Sequence, residues 1–291
     1  MIRVGTRSSA LALAQARLVA KRLPHDSTLV TITTSGDRQG PISDKSRWVS
    51  ELERALLEDE IDIAVHSAKD VPTELAPGLS LVAIPPRADP RDAICGASSL
   101  AELGAGARVG TSSLRRAAQI RALRDDLEVI EVRGNVDTRL RKLAEGTADA
   151  LVLALAGLQR LGRCGDAGGV LSQLVPAAGQ GALAVESRSD DLPGNLVDAL
   201  NDVESSACVH AERAFTRRLN ASCNTPVGAL ASAVGGGEIE LLGWVGLPDG
   251  SQWIADRLRG KGEQVGVAVA ERMLAVGAGD VLRQAEQELA V

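Results

Sequence analysis

Through the first two thirds of the chain, short runs of β-branched and aliphatic residues alternate with stretches whose apolar positions recur at helical spacing. The runs predict strands at 2–5, 28–33, 62–66, 79–84, 108–111, 128–132, 150–154 and 182–186. The periodic stretches predict helices near 9–22, 49–59, 113–124 and 135–145. Ser50 followed by Glu53 has capping-box spacing, with Val49, Leu52 and Leu56 on one face. Alternation of this kind predicts mainly parallel sheets with crossover helices. Two stretches, Pro85-Pro86-Arg87-Ala88-Asp89-Pro90 and Pro176-Ala177-Ala178-Gly179-Gln180-Gly181, read as connectors. The chain is therefore expected to leave one α/β unit, build a second and return, giving two lobes with a cleft at the crossing. After a long helix near 203–219 the pattern changes. Segments 227–234, 238–245 and 252–259 read as an antiparallel meander turned at Gly235-Gly236-Gly237 and Pro248-Asp249-Gly250, followed by one or two helices. This tail is a third, α+β domain. No internal sequence repeat is visible.

A chain of 291 residues has room for two or three domains. Three tryptophans, one phenylalanine and no tyrosine leave the core to Ala, Val, Leu and Ile. The same scarcity removes the stacked aromatic platform of a single-strand nucleic-acid binder. A net charge of -6 gives no global basic surface, so no nucleic-acid partner is expected, and any arginine clustering must mark a local site. The N-terminus lacks the charged-then-apolar run of a secretory signal, and no apolar stretch approaches the roughly 20 residues that span a bilayer. A cytoplasmic protein with no membrane partner is the expectation. The four cysteines, Cys95, Cys164, Cys208 and Cys223, show no C-x-x-C and no histidine at ligand spacing, so no metal site is expected.

Local chemistry is concentrated where predicted strands end. Gly110-Thr111-Ser112-Ser113-Leu114-Arg115-Arg116 runs from a strand through three hydroxyls into a helix carrying two arginines. Helix N-terminal amides, hydroxyls and guanidiniums together suit an anion; the plainer alternative is a capped helix with solvated arginines. The next strand–helix turn, Arg133-Gly134-Asn135-Val136-Asp137-Thr138-Arg139, repeats the logic, with Asn135 as a candidate N-cap. Gly5-Thr6-Arg7-Ser8-Ser9 has the same form near the chain start. In open α/β sheets ligands gather at the carboxyl ends of strands, where these turns fall. A ligand with several carboxylates or phosphates is implied. Neither a Gly-x-x-x-x-Gly-Lys phosphate loop nor a Gly-x-Gly-x-x-Gly fingerprint occurs, which argues against nucleotides. His66-Ser67-Ala68-Lys69-Asp70-Val71-Pro72 sits at another strand end: either a catalytic cluster, or a turn capped by Asp70 beside a solvated Lys69. Cys223 lies in a polar helix–strand loop, the setting of reactive rather than packed cysteines.

The ordered set TRSSALALAQA, ELERALLEDEIDIAVHSAKDVP, DPRDA, VGTSSLRR, VRGNVDTRL, LALAGLQRLG, PAAGQGALAVE and AERAF closely resembles the hydroxymethylbilane synthase family, also called the porphobilinogen deaminases. The resemblance implies an α/β fold of two type II periplasmic-binding-protein-like lobes with a cleft between them, plus a C-terminal α+β domain with a small antiparallel sheet. The domains would be 1–86 with 182–202, then 87–181, then 203–291. It implies a transferase of tetrapyrrole (haem) biosynthesis that joins four porphobilinogen molecules head to tail, releases ammonia and frees linear hydroxymethylbilane. The expected cofactor is a dipyrromethane primer in thioether linkage to Cys223, and the expected state is a monomer. Each pyrrole carries acetate and propionate arms, which arginine forks bind without deprotonating. By resemblance Arg7, Ser9, Lys69, Thr111, Ser112, Ser113, Arg115, Arg116, Arg133, Gly134, Arg139, Arg160, Gln180 and Gly181 hold these arms. Asp70 stabilises the electron-poor azafulvene left when ammonia departs and shuttles protons. Lys45 and Trp48 align with a lysine and a phenylalanine of the family's lid, in a stretch shorter and poorer in glycine than is usual. Ala221-Ser222 replaces the usual Gly-Gly ahead of the cofactor cysteine. The alternative is a non-catalytic polycarboxylate- or pyrrole-binding protein of the same fold.

Overall fold

The β-branched runs near both ends of the first lobe assemble into one five-stranded sheet in the computed structural model, which describes residues 1–32, 49–189, 192–221 and 225–290. Its strands are β1 (Ile2–Arg7), β2 (Ser27–Ile32), β3 (Ile63–Ser67), β4 (Leu79–Ala83) and, from far along the chain, β10 (Leu183–Arg188). They lie in the order β2-β1-β3-β10-β4, with β1 parallel to β2 and β3, and β10 antiparallel to β3 and β4. Because side chains alternate along a strand, β3 sends Ile63 and Val65 into one core and Ala64 into another. Helix α1 (Ala10–Ala20) covers the first through Ala16 and Val19; α2 (Ser50–Leu57) covers the second through Leu52, Ala55 and Leu56.

A second five-stranded sheet holds β5 (Asp92–Cys95), β6 (Arg108–Gly110), β7 (Glu128–Ile130), β8 (Ala150–Ala154) and β9 (Gly169–Leu171), in the order β7-β6-β8-β5-β9. Here β6 is parallel to β7 and β8, while β5 is antiparallel to β8 and β9. The order is the same as in the first sheet: second strand, first, third, then one antiparallel strand, then the edge. Helices α3 (Leu114–Leu123), α4 (Val136–Ala144) and α5 (Leu155–Arg160) follow β6, β7 and β8. The third sheet is the antiparallel meander β11 (Val227–Gly235), β12 (Glu238–Gly246) and β13 (Trp253–Lys261). Phe215, the sole phenylalanine, is fully buried on α6 (Val203–Arg218), and a Cβ on Gly243 of β12 would lie 2.6 Å from its ring. Trp244 of β12 packs with Ala118 of α3 and with Val175. By contact the chain divides into two units, Met1–Ala88 with Gly179–His210 and Asp89–Ala178 with Ala211–Val291.

The mixed α/β class with a small antiparallel C-terminal sheet agrees with the sequence reading. Two details differ. The large sheets are mixed rather than mainly parallel, because β5 and β10 enter against their neighbours. The Ser50–Glu53 capping box does not form: Val49 is the N-cap residue without a side-chain bond, and Glu53 Oε1 instead accepts the Ala76 amide at 3.1 Å.

Candidate active site

In the unit built on the first sheet, the predicted residues gather at the carboxyl ends of β1 and β3. Arg7 closes β1, and Ser9 caps α1 by accepting the Ala12 amide at 3.3 Å. A 3-10 turn, Ala68–Asp70, follows β3 directly. Its backbone is held closely. Ala68 N donates to Ala182 O at 3.1 Å, and Val71 N donates to Ala68 O at 3.3 Å. Gly179 has φ +74, and a Cβ there would lie 2.9 Å from Ala68 C and Lys69 N, so only glycine fits this approach. Gly181, also at positive φ (85°), and buried Gln180 complete the segment; Lys69 Nζ donates to Gln180 Oε1 at 3.2 Å. Gln15 Nε2 of α1 donates to Ser67 Oγ at 2.7 Å. The half-buried Asp70 carboxylate has no hydrogen-bond partner among the described residues. Nearby, burial holds the Glu53 carboxyl above the usual range; the Ala76 amide opposes this, and the Glu186 charge adds to it.

In the other unit, the turns after β6 and β7 meet. Ser113 caps α3, its Oγ accepting the Arg116 amide, and Thr111 Oγ1 accepts the Ser113 amide at 3.2 Å. Asn135 Oδ1 caps α4 by accepting the Thr138 amide at 2.8 Å; Gly134, at φ 126°, packs where a Cβ would meet the Thr138 side chain at 2.7 Å. Arg139 reaches from α4 to the first turn: its Nη2 donates to Ser112 Oγ at 2.9 Å and its Nε to Gly134 O at 2.7 Å. Both partners are neutral. Burial, with the Arg116 charge adding to it, pushes the Arg139 guanidinium down to about 10. Burial alone pushes Arg160, the last residue of α5, down to about 10. Two helix N-termini and the Arg139 guanidinium thus lie together, an arrangement that can attract an anion.

The other arginines are placed differently. Arg115 and Arg116 are buried and share Asp92: Arg115 Nη2 lies 2.9 Å from Oδ2, and Arg116 Nη2 2.8 Å from Oδ1. Arg115 Nη1 also donates to Val175 O at 2.6 Å, and Arg116 Nη1 to Val152 O at 3.0 Å. Arg133 is exposed and pairs with Glu131 at 2.6 Å. Cys223, Lys45 and Trp48 lie outside the described residues. Burial pushes the Cys95 thiol up to about 11, with the Asp166 charge assisting, which leaves it inert near neutrality. Among the described residues no cluster of three or more His, Cys, Asp or Glu could hold a metal ion. No helix among them is long and apolar enough to cross a membrane.

Asp92 and Glu186 are both fully buried, and sequence reasoning misses them. The available signal was an acid inside an apolar run, Asp92-Ala93-Ile94-Cys95 and Leu183-Ala184-Val185-Glu186.

Residues 2–194 match the family described as porphobilinogen deaminase, dipyromethane cofactor binding domain, and residues 206–275 match the porphobilinogen deaminase C-terminal domain. The chain belongs to the porphobilinogen deaminase family. Among curated porphobilinogen deaminases, that of Brevibacillus brevis is 44% identical over 98% of this chain and 98% of its own length. That of Thermus thermophilus is 46% identical over 97% and 98%, and that of Sorangium cellulosum 50% over 86% and 88%. A TRAP periplasmic solute binding protein from Desulfovibrio salexigens gives a TM-score of 0.42 at 12% identity, covering 70% of this chain and 72% of that one. A likeness of that size adds nothing to the strand order above. Porphobilinogen deaminases of this family are transferases with a dipyrromethane cofactor.

Proposed function

We propose that the chain condenses porphobilinogen units head to tail onto a dipyrromethane primer tethered to Cys223, releases ammonia at each addition and hydrolyses the product free as linear hydroxymethylbilane. One observation carries the reading: the half-buried Arg139 guanidinium, bonded among the described residues only to neutral oxygens, links the N-terminal turns of α3 and α4. A carboxylate at this point would supply the missing negative charge while the helix amides and Ser112 orient it. When bound, the dipyrromethane supplies the pyrrole end to which each new unit is joined. Thr111, Ser112, Ser113, Gly134, Arg139 and Arg160 would bind its acid arms or those of substrate. Arg133 joins them by exchanging Glu131 for a ligand carboxylate. Arg115 and Arg116, fixed on Asp92, act on those arms through their charge and through the helix they anchor. Arg7, Ser9, Lys69, Gln180 and Gly181 form the corresponding set in the first unit.

Asp70 has no hydrogen-bond partner among the described residues, in a turn whose Ala68 and Val71 amides and Lys69 side chain are bonded. Its carboxylate can balance positive charge on a reacting pyrrole and accept the proton released when a carbon–carbon bond forms. We assign the protein to the cytoplasm as a monomer, as its resemblance to the family implies. The deciding measurement is turnover of porphobilinogen to a product that oxidises to coloured uroporphyrin, together with the intact mass of wild type and Cys223→Ser. The wild type should carry a dipyrromethane adduct and form pigment; Cys223→Ser should have the bare polypeptide mass and form none. Folded wild-type protein that gives no pigment would reject the activity.

A further inference from the structure

Residue His66, immediately ahead of the Asp70-bearing turn, has no part in the chemistry above. Strand alternation places it on the face of β3 covered by α2, while Ser67 lies on the face covered by α1. His66 Nε2 stands 2.9 Å from Glu186 Oε2 of β10, with side-chain exposures of 4% and 0%. The two meet at ion-pair distance without hydrogen-bond geometry, and neither His66 Nε2 nor the Glu186 carboxylate has a hydrogen-bond partner among the described residues. Glu53 of α2, which is bonded to the Ala76 amide, feels the charge of both groups. The approach to Asp70 is therefore fastened on successive residues by different elements. His66 is held by β10, Ser67 by α1, Ala68 by Ala182, and Lys69 by Gln180. Of these, the His66–Glu186 contact is the only one between two ionisable side chains and the most completely shielded from water.

We propose that His66 and Glu186 are a positioning pair for the reaction: their polar contact fixes the end of β3, and through it the Ala68–Asp70 turn sets the direction of the Asp70 carboxylate. A pair that served only to fill the core could be replaced by apolar side chains of similar bulk, often at no cost to stability. A positioning pair replaced in this way would keep the fold and lose turnover. The proposal rests on Asp70 being the catalytic carboxylate.

The test compares full-length, primer-loaded protein of wild type, His66→Leu/Glu186→Leu, His66→Gln and Asp70→Asn. Steady-state turnover of porphobilinogen is measured, with melting temperature and intact mass as checks. The double leucine variant should melt at or above the wild-type temperature, keep its primer and KM, and lose about tenfold in kcat, while His66→Gln, whose amide can still donate to Glu186, stays within about threefold of wild type. Wild-type kcat in the double variant, a loss confined to KM, or a glutamine variant no better than the double variant would each overturn the pairing. Should the double variant not fold, a kcat for His66→Gln reduced more than about tenfold would overturn it equally. Asp70→Asn separates the two layers. If it is inactive while the double variant is normal, only the pairing falls; if it turns over normally, the assignment of Asp70 falls and the pairing with it.

Discussion

The two five-stranded sheets share one plan and differ in charge. Each begins with a strand that runs through Gly-Thr into a serine-capped helix: Gly5-Thr6 leads to Ser9, and Gly110-Thr111 to Ser113. In each, an arginine on the first strand clasps the aspartate just before the third. Arg3 N donates to Asp62 Oδ2 at 2.6 Å, and Arg108 N to Asp149 Oδ2 at 2.7 Å. In each, the antiparallel fourth strand buries one carboxylate completely, Glu186 on β10 and Asp92 on β5. The partners then diverge. Glu186 meets an imidazole, whereas two guanidiniums share Asp92. The first sheet ends in an acid, Asp70; the second ends in the cation Arg139. A repeated scaffold thus carries different partners on the buried acid of its fourth strand.

If the fourth-strand acids are the keystones of this contrast, removing Asp92 should have the largest effect. Asp92→Ala leaves Arg115 and Arg116 buried without their shared counter-charge and should cost about 3–5 kcal/mol in urea unfolding; a loss under about 1 kcal/mol would make the triad incidental. Next comes the proposed reacting acid: Asp70→Ala should keep the primer by intact mass and lose about a hundredfold or more in turnover, the scale of one well-placed electrostatic group. Arg139→Leu should separate function from stability. Binding of porphobilinogen or loading of primer should weaken by about tenfold, while the melting temperature stays level or rises because a poorly solvated charge has gone. A fall in melting temperature with unchanged kinetics would make Arg139 a structural residue.

The smallest effect is a pH dependence confined to the first sheet. A carboxyl held above its unfolded value favours its protonated form in the fold. The stability that Glu53 contributes is therefore complete below the unfolded value of about 4.3 and is lost as pH rises through the folded one. Glu53→Gln mimics the protonated form and can still accept the Ala76 amide. It should melt about 1–2 °C above wild type near pH 7–8, and the gap should close towards pH 4. A gap that stays constant with pH would remove Glu53 ionisation as its source.

Much of the fold was legible because strands β1 to β4 and helices α1 to α4 carry their own periodicity. The 150–154 run coincides with β8 residue for residue. Strands β5 and β9 were not legible. Asp92–Cys95 follows a proline-rich stretch that reads as a connector, and Gly169–Leu171 is too short to show alternation. Ser50–Glu53 misled for a related reason: the spacing is right, but Ala76, remote in sequence, takes the carboxylate. The turns around Thr111, Asn135 and Asp70 were readable since their chemistry is local. The commitment of Arg115 and Arg116 to Asp92, and of His66 to Glu186, was not, because each depends on a strand brought alongside by sheet order. The repeat of plan between the sheets was hidden for the same reason, being written in topology and a few contacts rather than in residue identity.

Trp244 gives the second unit an optical readout. Its indole is 5% exposed and packs with Ala118 of α3 and with Val175, whose carbonyl also receives Arg115 and Gln119. With no tyrosine in the chain, excitation energy has no phenol donor to pass through, and Trp253, 54% exposed, emits from an aqueous setting distinct from that of Trp244. A shift of α3 therefore registers as a change in the blue side of the fluorescence band, with no label attached.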